Sequence, residues 1–197
     1  SNDQRLTIYK LRDYFLEEND SEKLLFEYLD NLLEKTADKL LPEDQNSNWK
    51  FDNLDKTLTQ SLGISPDFNL LEIDGLNFGK VMDYMNNFYQ KYYFEKFGPL
   101  KERKAELERQ IAIQVMDAAW KRHLQNIDSL RSNIGLRAYA QRNPINEFKK
   151  ESFYLFDAMI ESFKDDIVKI LFNIKIQTMS PREFEEHKKR REQKKTS

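Results

Sequence analysis

The feature that most constrains this chain is a pair of long apolar stripes at helical spacing, separated by the polar, turn-like decapeptide GLRAYAQRNP at 135–144. Within 100–134, apolar residues recur three, four and seven positions apart. The second stripe follows Asn143 and Pro144, a favoured N-cap and first-turn pair, and extends to Ile174. Two stripes of similar length around a short linker predict an antiparallel helical hairpin over about 108–134 and 144–174. Thirty residues rising about 1.5 Å each would make it roughly 45 Å long.

The same stripes predict which large side chains fill the hairpin. Because the two stripes face each other, the residues near their centres should be buried in or beside the helix pair. These candidates for the hairpin core are Trp120, Phe156, Met159 and Phe163. If the Trp120 indole is fully buried, Trp120→Ala should cost roughly 3–5 kcal/mol.

Shorter helical patterns precede the hairpin. Leu25 and Leu29 begin the stripe of a helix that Pro42 ends, and Gly63 ends a short helix after it. Methionines and aromatic residues then recur at helical spacing: Met82, Met85, Phe88, Tyr89, Tyr92 and Phe97. Such a stripe can form an adaptable groove for apolar peptides, but at helical spacing it is more often core, and we favour core here. The chain is therefore predicted to be all-α, with the long hairpin packed against a smaller helical domain.

The sequence contains no recognisable catalytic motif. The phosphate loop GxxxxGK[ST], the zinc motif HExxH and the nucleophile elbow GxSxG are all absent. The lack of cysteine excludes disulfides and thiolate metal sites. His123 and His187 have no partner at ligand spacing, and His123 is interpreted as a hydrogen-bonded structural group. We therefore predict no catalytic, cofactor-binding or metal site in this chain, and no membrane span, because its apolar runs are short.

Charge is distributed unevenly along the chain. Residues 1–75 hold 17 acidic and 8 basic residues, a net charge of −9, which leaves +7 for the remainder. This gradient fits docking between parts of the protein or onto an anionic surface. It equally fits a solvated surface whose charged side chains are unevenly distributed and have no docking role. The tail at 177–197 is rich in lysine and arginine. It could bind anionic lipid or nucleic acid, although we favour a solvated linker.

A family resemblance emerges when the linker is read with its flanks. The segment AAWKRHLQNIDSLRSNIGLRAYAQRNPINEFKKESFYLFDAMIESFKDDI, at 118–167, closely resembles the C-terminal helical region of the SecA family, the motors of the bacterial preprotein translocase. WKRHL at 120–124, LRAYAQ at 136–141 and EFKKESF at 147–153 follow the family pattern in order. Residues 2–9 are similar to the end of the family's long scaffold helix. Asn133 and Gly135 stand where the family usually has glycine and histidine.

The resemblance implies a domain organisation. Residues 1–19 would end the long scaffold helix, and 20–107 would form the helical wing domain. Residues 108–176 would be the part of the helical scaffold called the two-helix finger, with its tip at 135–144, and 177–197 a basic C-terminal linker. The fold class is then an all-α chain whose long antiparallel hairpin packs with a helical wing. We expect a piece of a longer motor, with two nucleotide-binding domains and a preprotein-cross-linking domain upstream.

The resemblance also implies a function. In the SecA family the finger enters the cytoplasmic funnel of the SecY channel, its tip contacts the translocating polypeptide, and its helices help to restrain ATP hydrolysis. The residues at the corresponding tip positions are Leu136, Arg137, Ala138, Tyr139, Ala140, Gln141 and Arg142. Tyr139 offers a flat apolar face and one hydroxyl, which can hold varied polypeptide segments. The basic residues around it suit a channel rim or anionic headgroups.

Further expectations follow from the resemblance. The partners would be the SecY channel complex, preproteins, the remaining SecA domains and anionic lipid. The location would be cytoplasmic, peripheral on the cytoplasmic face of the inner membrane. This segment would be non-catalytic, and ATP and Mg²⁺ would be bound by the parent protein's other domains.

A second hypothesis is a freestanding helical adaptor or nucleic-acid-binding module that uses the basic tip and tail. Single-strand binders interleave basic residues with exposed aromatic residues along one face. We find no such interleaving in the sequence, so no nucleic acid partner is expected.

Overall fold

The protein is an assembly of long helices. The structure, a computed structural model, describes residues 2–17, 20–42, 48–137 and 143–176, together with residues 182, 185, 186, 189, 190 and 193. Six α-helices lie in the four longer ranges, and no strand occurs in them. They are α1 (Asn2–Glu17), α2 (Ser21–Leu40), α3 (Asp52–Leu62), α4 (Phe78–Phe97), α5 (Glu102–Arg137) and α6 (Pro144–Asn173). The predicted all-α class is confirmed.

Helices α5 and α6 form the predicted antiparallel hairpin. Arg131 lies over the Phe148 ring, with its guanidinium carbon 5.7 Å from the ring centroid. Eight residues earlier in α5, His123 contacts the ring of Phe156, eight residues later in α6. Residue numbers along α5 therefore decrease as those of the contacting residues along α6 increase, so the two helices are antiparallel. The helices have 36 and 30 residues, and α5 continues through Gly135, beyond the predicted end at residue 134.

Helix α1 lies along α5 in the opposite direction. Gln4 hydrogen-bonds to His123, whereas Arg12, two turns later in α1, pairs with Asp117, earlier in α5. Ile8 and Phe15 are buried, as their spacing on one helical face predicts. Helix α1 thus lies beside the hairpin as far along α5 as His123, which Gln4 contacts.

Helices α2, α3 and α4 form the smaller helical part, to which α4 contributes a row of buried side chains. Its buried residues recur every four positions: Val81, Met85, Tyr89, Tyr93 and Phe97. Met82, Phe88 and Tyr92 of the predicted stripe are half-buried and pack at its edge. The interpretation of this stripe as core is therefore confirmed, but Tyr93, which has a buried ring, was missed.

The smaller helical part is joined to the last turns of α6 by polar contacts. Lys96 of α4 donates through Nζ to the carbonyl oxygens of Leu171 and Phe172, at 3.1 and 2.8 Å. Lys35 of α2 lies with its Nζ 2.9 Å from a carboxylate oxygen of Asp165. One continuous apolar core extends from α1 through α2, α3 and α4 into α5 and α6. The C-terminal half of α6 is therefore embedded in the body of the protein.

Gly63 ends α3, as predicted, and a substitution there tests the packing of α3 against the end of α6. It has φ of +78°, and an added Cβ would lie 2.7 Å from Oδ1 of Asn173. That side chain is already engaged, because its Nδ2 donates to the carbonyl oxygen of Ser61. Gly63→Ala should therefore lower the free energy of unfolding by roughly 1–3 kcal/mol. Urea unfolding measures the change.

Gly135 is the matched control, because a Cβ there meets nothing within 4 Å and the residue lies in α5. Gly135→Ala should be neutral or raise stability by up to about 1 kcal/mol. Similar losses for both variants would contradict the role given to Gly63.

Candidate functional site

The end of the hairpin remote from the body has an interior of its own. We call residues 124–137 and 143–155 the distal hairpin. Ile127, Leu130 and Ile134 are buried there, and Phe148 and Leu155 pack against them. This cluster is separate from the continuous core that holds the rest of the protein together. The distal hairpin is therefore stabilised mainly by contacts between its own two helices.

The start of α6 has the predicted local structure. Asn143 is the N-cap, and its Oδ1 accepts from the backbone N–H of Asn146 at 3.4 Å. Pro144 occupies the first turn, where its missing N–H costs no helical hydrogen bond. These two residues fix where the chain re-enters the hairpin after the tip.

The structure describes only part of the predicted tip. Leu136 lies at the end of α5 with 71% of its surface exposed. The backbone of Arg137 belongs to the last turn of α5. Ala138, Tyr139, Ala140, Gln141 and Arg142 lie outside the described residues. Their contact with polypeptide or channel therefore stays a prediction.

The segment around the tip is basic. Residues 131–150 contain five arginines and lysines and one acidic residue, a net charge of +4. Lys149 and Lys150 are exposed on α6. Arg131 is exposed as well, over the face of the Phe148 ring. Positive charge close to the end of a projecting element favours approach to anionic surfaces.

Two exposed aromatic rings on α6 were missed from the sequence. Phe153 is 62% exposed, and its ring centroid lies 6.1 Å from that of the exposed Tyr154. They follow Lys149 and Lys150 by one helical turn, so two basic and two aromatic side chains are neighbours on this face. The available signal was an aromatic pair at positions outside the apolar stripe that contains Phe148 and Phe156.

The four predicted core residues of the hairpin differ in burial. Phe163 is fully buried, whereas Phe156 and Met159 are half-buried and pack against the main core. Trp120 is half-buried too, so the condition of full burial, on which the loss of roughly 3–5 kcal/mol for Trp120→Ala depends, is not met. The reason is its place at the edge of the buried face of α5. Its neighbours one turn away, Asp117 and Leu124, are exposed.

His123 is a buried, hydrogen-bonded group, as predicted. It is 2% exposed, and its Nε2 lies 3.0 Å from Oε1 of Gln4. Burial lowers the pKa of the His123 imidazole, because a charged ring would lose its hydration there. This histidine is therefore held neutral and connects α5 to α1.

Within the described ranges, no group of three or more histidine, aspartate and glutamate side chains could hold a metal ion. None of the helices in those ranges is both long and apolar enough to cross a membrane.

Comparison with known proteins identifies the family. The family model described as the SecA wing and scaffold domain matches residues 1–175. The protein translocase subunit SecA of Helicobacter hepaticus is 34% identical over 178 residues, which are 87% of this chain and 20% of that protein. The SecA subunit of Burkholderia thailandensis is 31% identical over 190 residues, 94% of this chain and 20% of that protein. The chain spans about a fifth of the length of the curated relatives it matches.

The match covers the helical body and the hairpin together, and the helices α1 to α6 all lie within the matched residues. The chain therefore belongs to the SecA family, as its wing and scaffold region.

Proposed function

We propose that this chain is the non-catalytic helical module of a SecA protein-translocation ATPase. In this proposal the α5–α6 hairpin is the two-helix finger, which enters the SecY channel and contacts and moves preprotein. The observation that carries the proposal is a long hairpin with one end embedded in a shared core and the other held by its own small cluster. The family membership supplies the context of protein translocation.

The embedded end can transmit force. Lys96 binds the last carbonyls of α6, and Lys35 pairs with Asp165 on the same helix. A displacement of the smaller helical part is therefore carried directly to α6. A continuous helix of 30 residues extends this displacement over about 45 Å. By the same coupling, contact at the tip can act back on nucleotide hydrolysis in the other domains.

The distal hairpin has the chemistry of a surface that contacts polypeptide. Leu136, within the tip, and Ile145, directly after it, are exposed aliphatic side chains. Tyr139 would add an aromatic face between them in sequence. Apolar contacts of this kind depend little on the sequence of the partner. The surrounding basic residues suit the channel rim and anionic lipid headgroups.

The remaining assignments belong to the same proposal. The module would act at the cytoplasmic face of the inner membrane as a peripheral part of the translocase. ATP and Mg²⁺ would be bound by the nucleotide-binding domains of the longer protein, which would dock on this module.

The contact at the tip is testable by cross-linking, because this chain contains no cysteine. In the longer protein with its other cysteines removed, Leu136→Cys should form adducts with a preprotein stalled in SecY-containing vesicles. Ile73→Cys is the matched control, because Ile73 is also an exposed aliphatic side chain, at 80%, but lies between α3 and α4. The yield at 136 should exceed that at 73 several-fold. Equal yields, or no adduct at 136, would overturn the proposed contact.

The exposed aromatic pair Phe153 and Tyr154, one turn from Lys149 and Lys150, supports a second candidate, binding of single-stranded nucleic acid. Such binding needs no channel and weakens steeply with salt. Fluorescence anisotropy with a labelled single strand, at low and high salt, tests it. Salt-sensitive binding that Phe153→Ala weakens would favour this candidate, and no binding at low salt would remove it.

A further inference from the structure

Three polar side chains from three helices meet at one level inside the hairpin. Gln4 comes from α1, His123 from α5 and Ser152 from α6. His123 and Ser152 are buried, and Gln4 is half-buried between them. We call these three residues the polar layer.

The hydrogen bonds of the polar layer define its chemistry. The carbonyl oxygen of Ser152 can only accept, and it lies 3.3 Å from Nε2 of Gln4. Nε2 of Gln4 also donates to Oγ of Ser152, at 3.2 Å. The other amide atom of Gln4, Oε1, must therefore accept from Nε2–H of His123. One glutamine thus binds both helices of the hairpin and uses both ends of its amide.

The polar layer lies at the boundary between two apolar clusters. Met116 and Phe163 belong to the main core. Ile127 and Leu130 belong to the cluster of the distal hairpin. On α5, His123 falls between the two sets. On α6, Ser152 lies one turn to the distal side of the boundary, because Phe148 and Leu155 both pack on the distal cluster and Phe156 packs on the main core.

We propose that the polar layer sets the register of α1 against the hairpin and divides the hairpin into two halves that open independently. Apolar side chains tolerate a helix that slides by one turn, but hydrogen bonds between buried groups do not. In another register His123 and Ser152 would be buried without Gln4. Polar groups at the boundary also interrupt the apolar contact through which the two clusters would otherwise open together. The proposal concerns the fold and does not depend on the proposed function.

Hydrogen exchange on the whole 197-residue chain tests the division into halves. Amides of 124–134 and 146–151 should exchange at least tenfold faster than amides of 110–120 and 158–170. Residues 124–131 and 150–151 lie more than one turn inside their helices, so the comparison is decided on these amides, where fraying of the terminal turns does not explain a difference. A single rate along each helix would overturn the division.

A pair of variants tests the register. Gln4→Met keeps the length of the side chain but removes its hydrogen bonds. Arg12→Ala is the matched control, because it removes the exposed α1–α5 pair with Asp117 and leaves the polar layer intact. Spin labels at Tyr9→Cys and Leu124→Cys, both exposed positions in a chain without cysteine, report the distance between α1 and α5.

The unmodified background and the Arg12→Ala variant should each give one narrow distance distribution. Gln4→Met should at least double its width or add a second distance. A Gln4→Met distribution as narrow as the control would overturn the register role. If Gln4→Met fails to fold while Arg12→Ala folds, a requirement for the polar layer is supported, and the exchange experiment still decides the division.

Discussion

Phe163→Ala should lower the free energy of unfolding by roughly 3–5 kcal/mol. The Phe163 side chain has no exposed surface and lies in the continuous core where α6 meets the rest of the protein. Removing the ring leaves a cavity in a region with contributions from all six helices, which cannot collapse without moving several of them. Chemical denaturation followed by circular dichroism measures the loss.

Phe153→Ala is the matched control, because it is the same substitution in the same helix at a ring that is 62% exposed. It should change stability by less than about 1 kcal/mol. If Phe153→Ala cost as much as Phe163→Ala, the aromatic face of the distal hairpin would have to be part of the folded core.

Tyr139→Ala and Tyr139→Asp in the longer protein should abolish most preprotein transport, whereas Tyr139→Phe and Tyr139→Met should retain most of it. The reason is that the proposed contact needs bulk and an apolar face and uses neither a proton nor a nucleophile. Protease-protected preprotein in membrane vesicles measures transport, and phosphate release in the same reactions measures ATP hydrolysis. All four variants should still hydrolyse ATP.

The pattern across the four Tyr139 variants decides the interpretation. Failure of Tyr139→Phe to the extent of Tyr139→Ala would assign the role to the hydroxyl. Normal transport by Tyr139→Ala would remove Tyr139 from the contact surface. Loss of ATP hydrolysis in every variant would indicate damage to the motor rather than to the contact.

The hairpin could be predicted from the sequence because its determinants are local. Apolar residues three and four positions apart define α5 and α6, and Asn143 with Pro144 marks the start of the second helix. The extent of burial could not be predicted in the same way. Trp120 and Phe163 both lie on predicted stripes, but only Phe163 faces the centre of the assembled core. That difference depends on how several helices pack together. The spacing of apolar residues within one helix does not determine this packing.

The contacts that join distant parts of the chain could not be predicted from the sequence either. Lys96 is one lysine among many, and its role arises only because the end of α6 places two carbonyl oxygens beside it. The histidine was identified as hydrogen-bonded from its lack of partners at ligand spacing, but its partner Gln4 is 119 positions away. In the candidate site, Leu136 followed from the family pattern, whereas Phe153 and Tyr154 became visible only when the outer face of α6 was known.

The position of α1 has a consequence for the synthesis of the protein. Its partner Ser152 is 148 positions later in the chain, whereas α5 and α6 are consecutive and can pair as soon as both have left the ribosome. At about 5–20 residues per second, α1 waits on the order of ten seconds before its site on the hairpin exists. During that interval Ile8 and Phe15, buried in the finished fold, have no hairpin to cover them. The side of α1 that faces the hairpin is therefore completed late in synthesis, after α6 has been made.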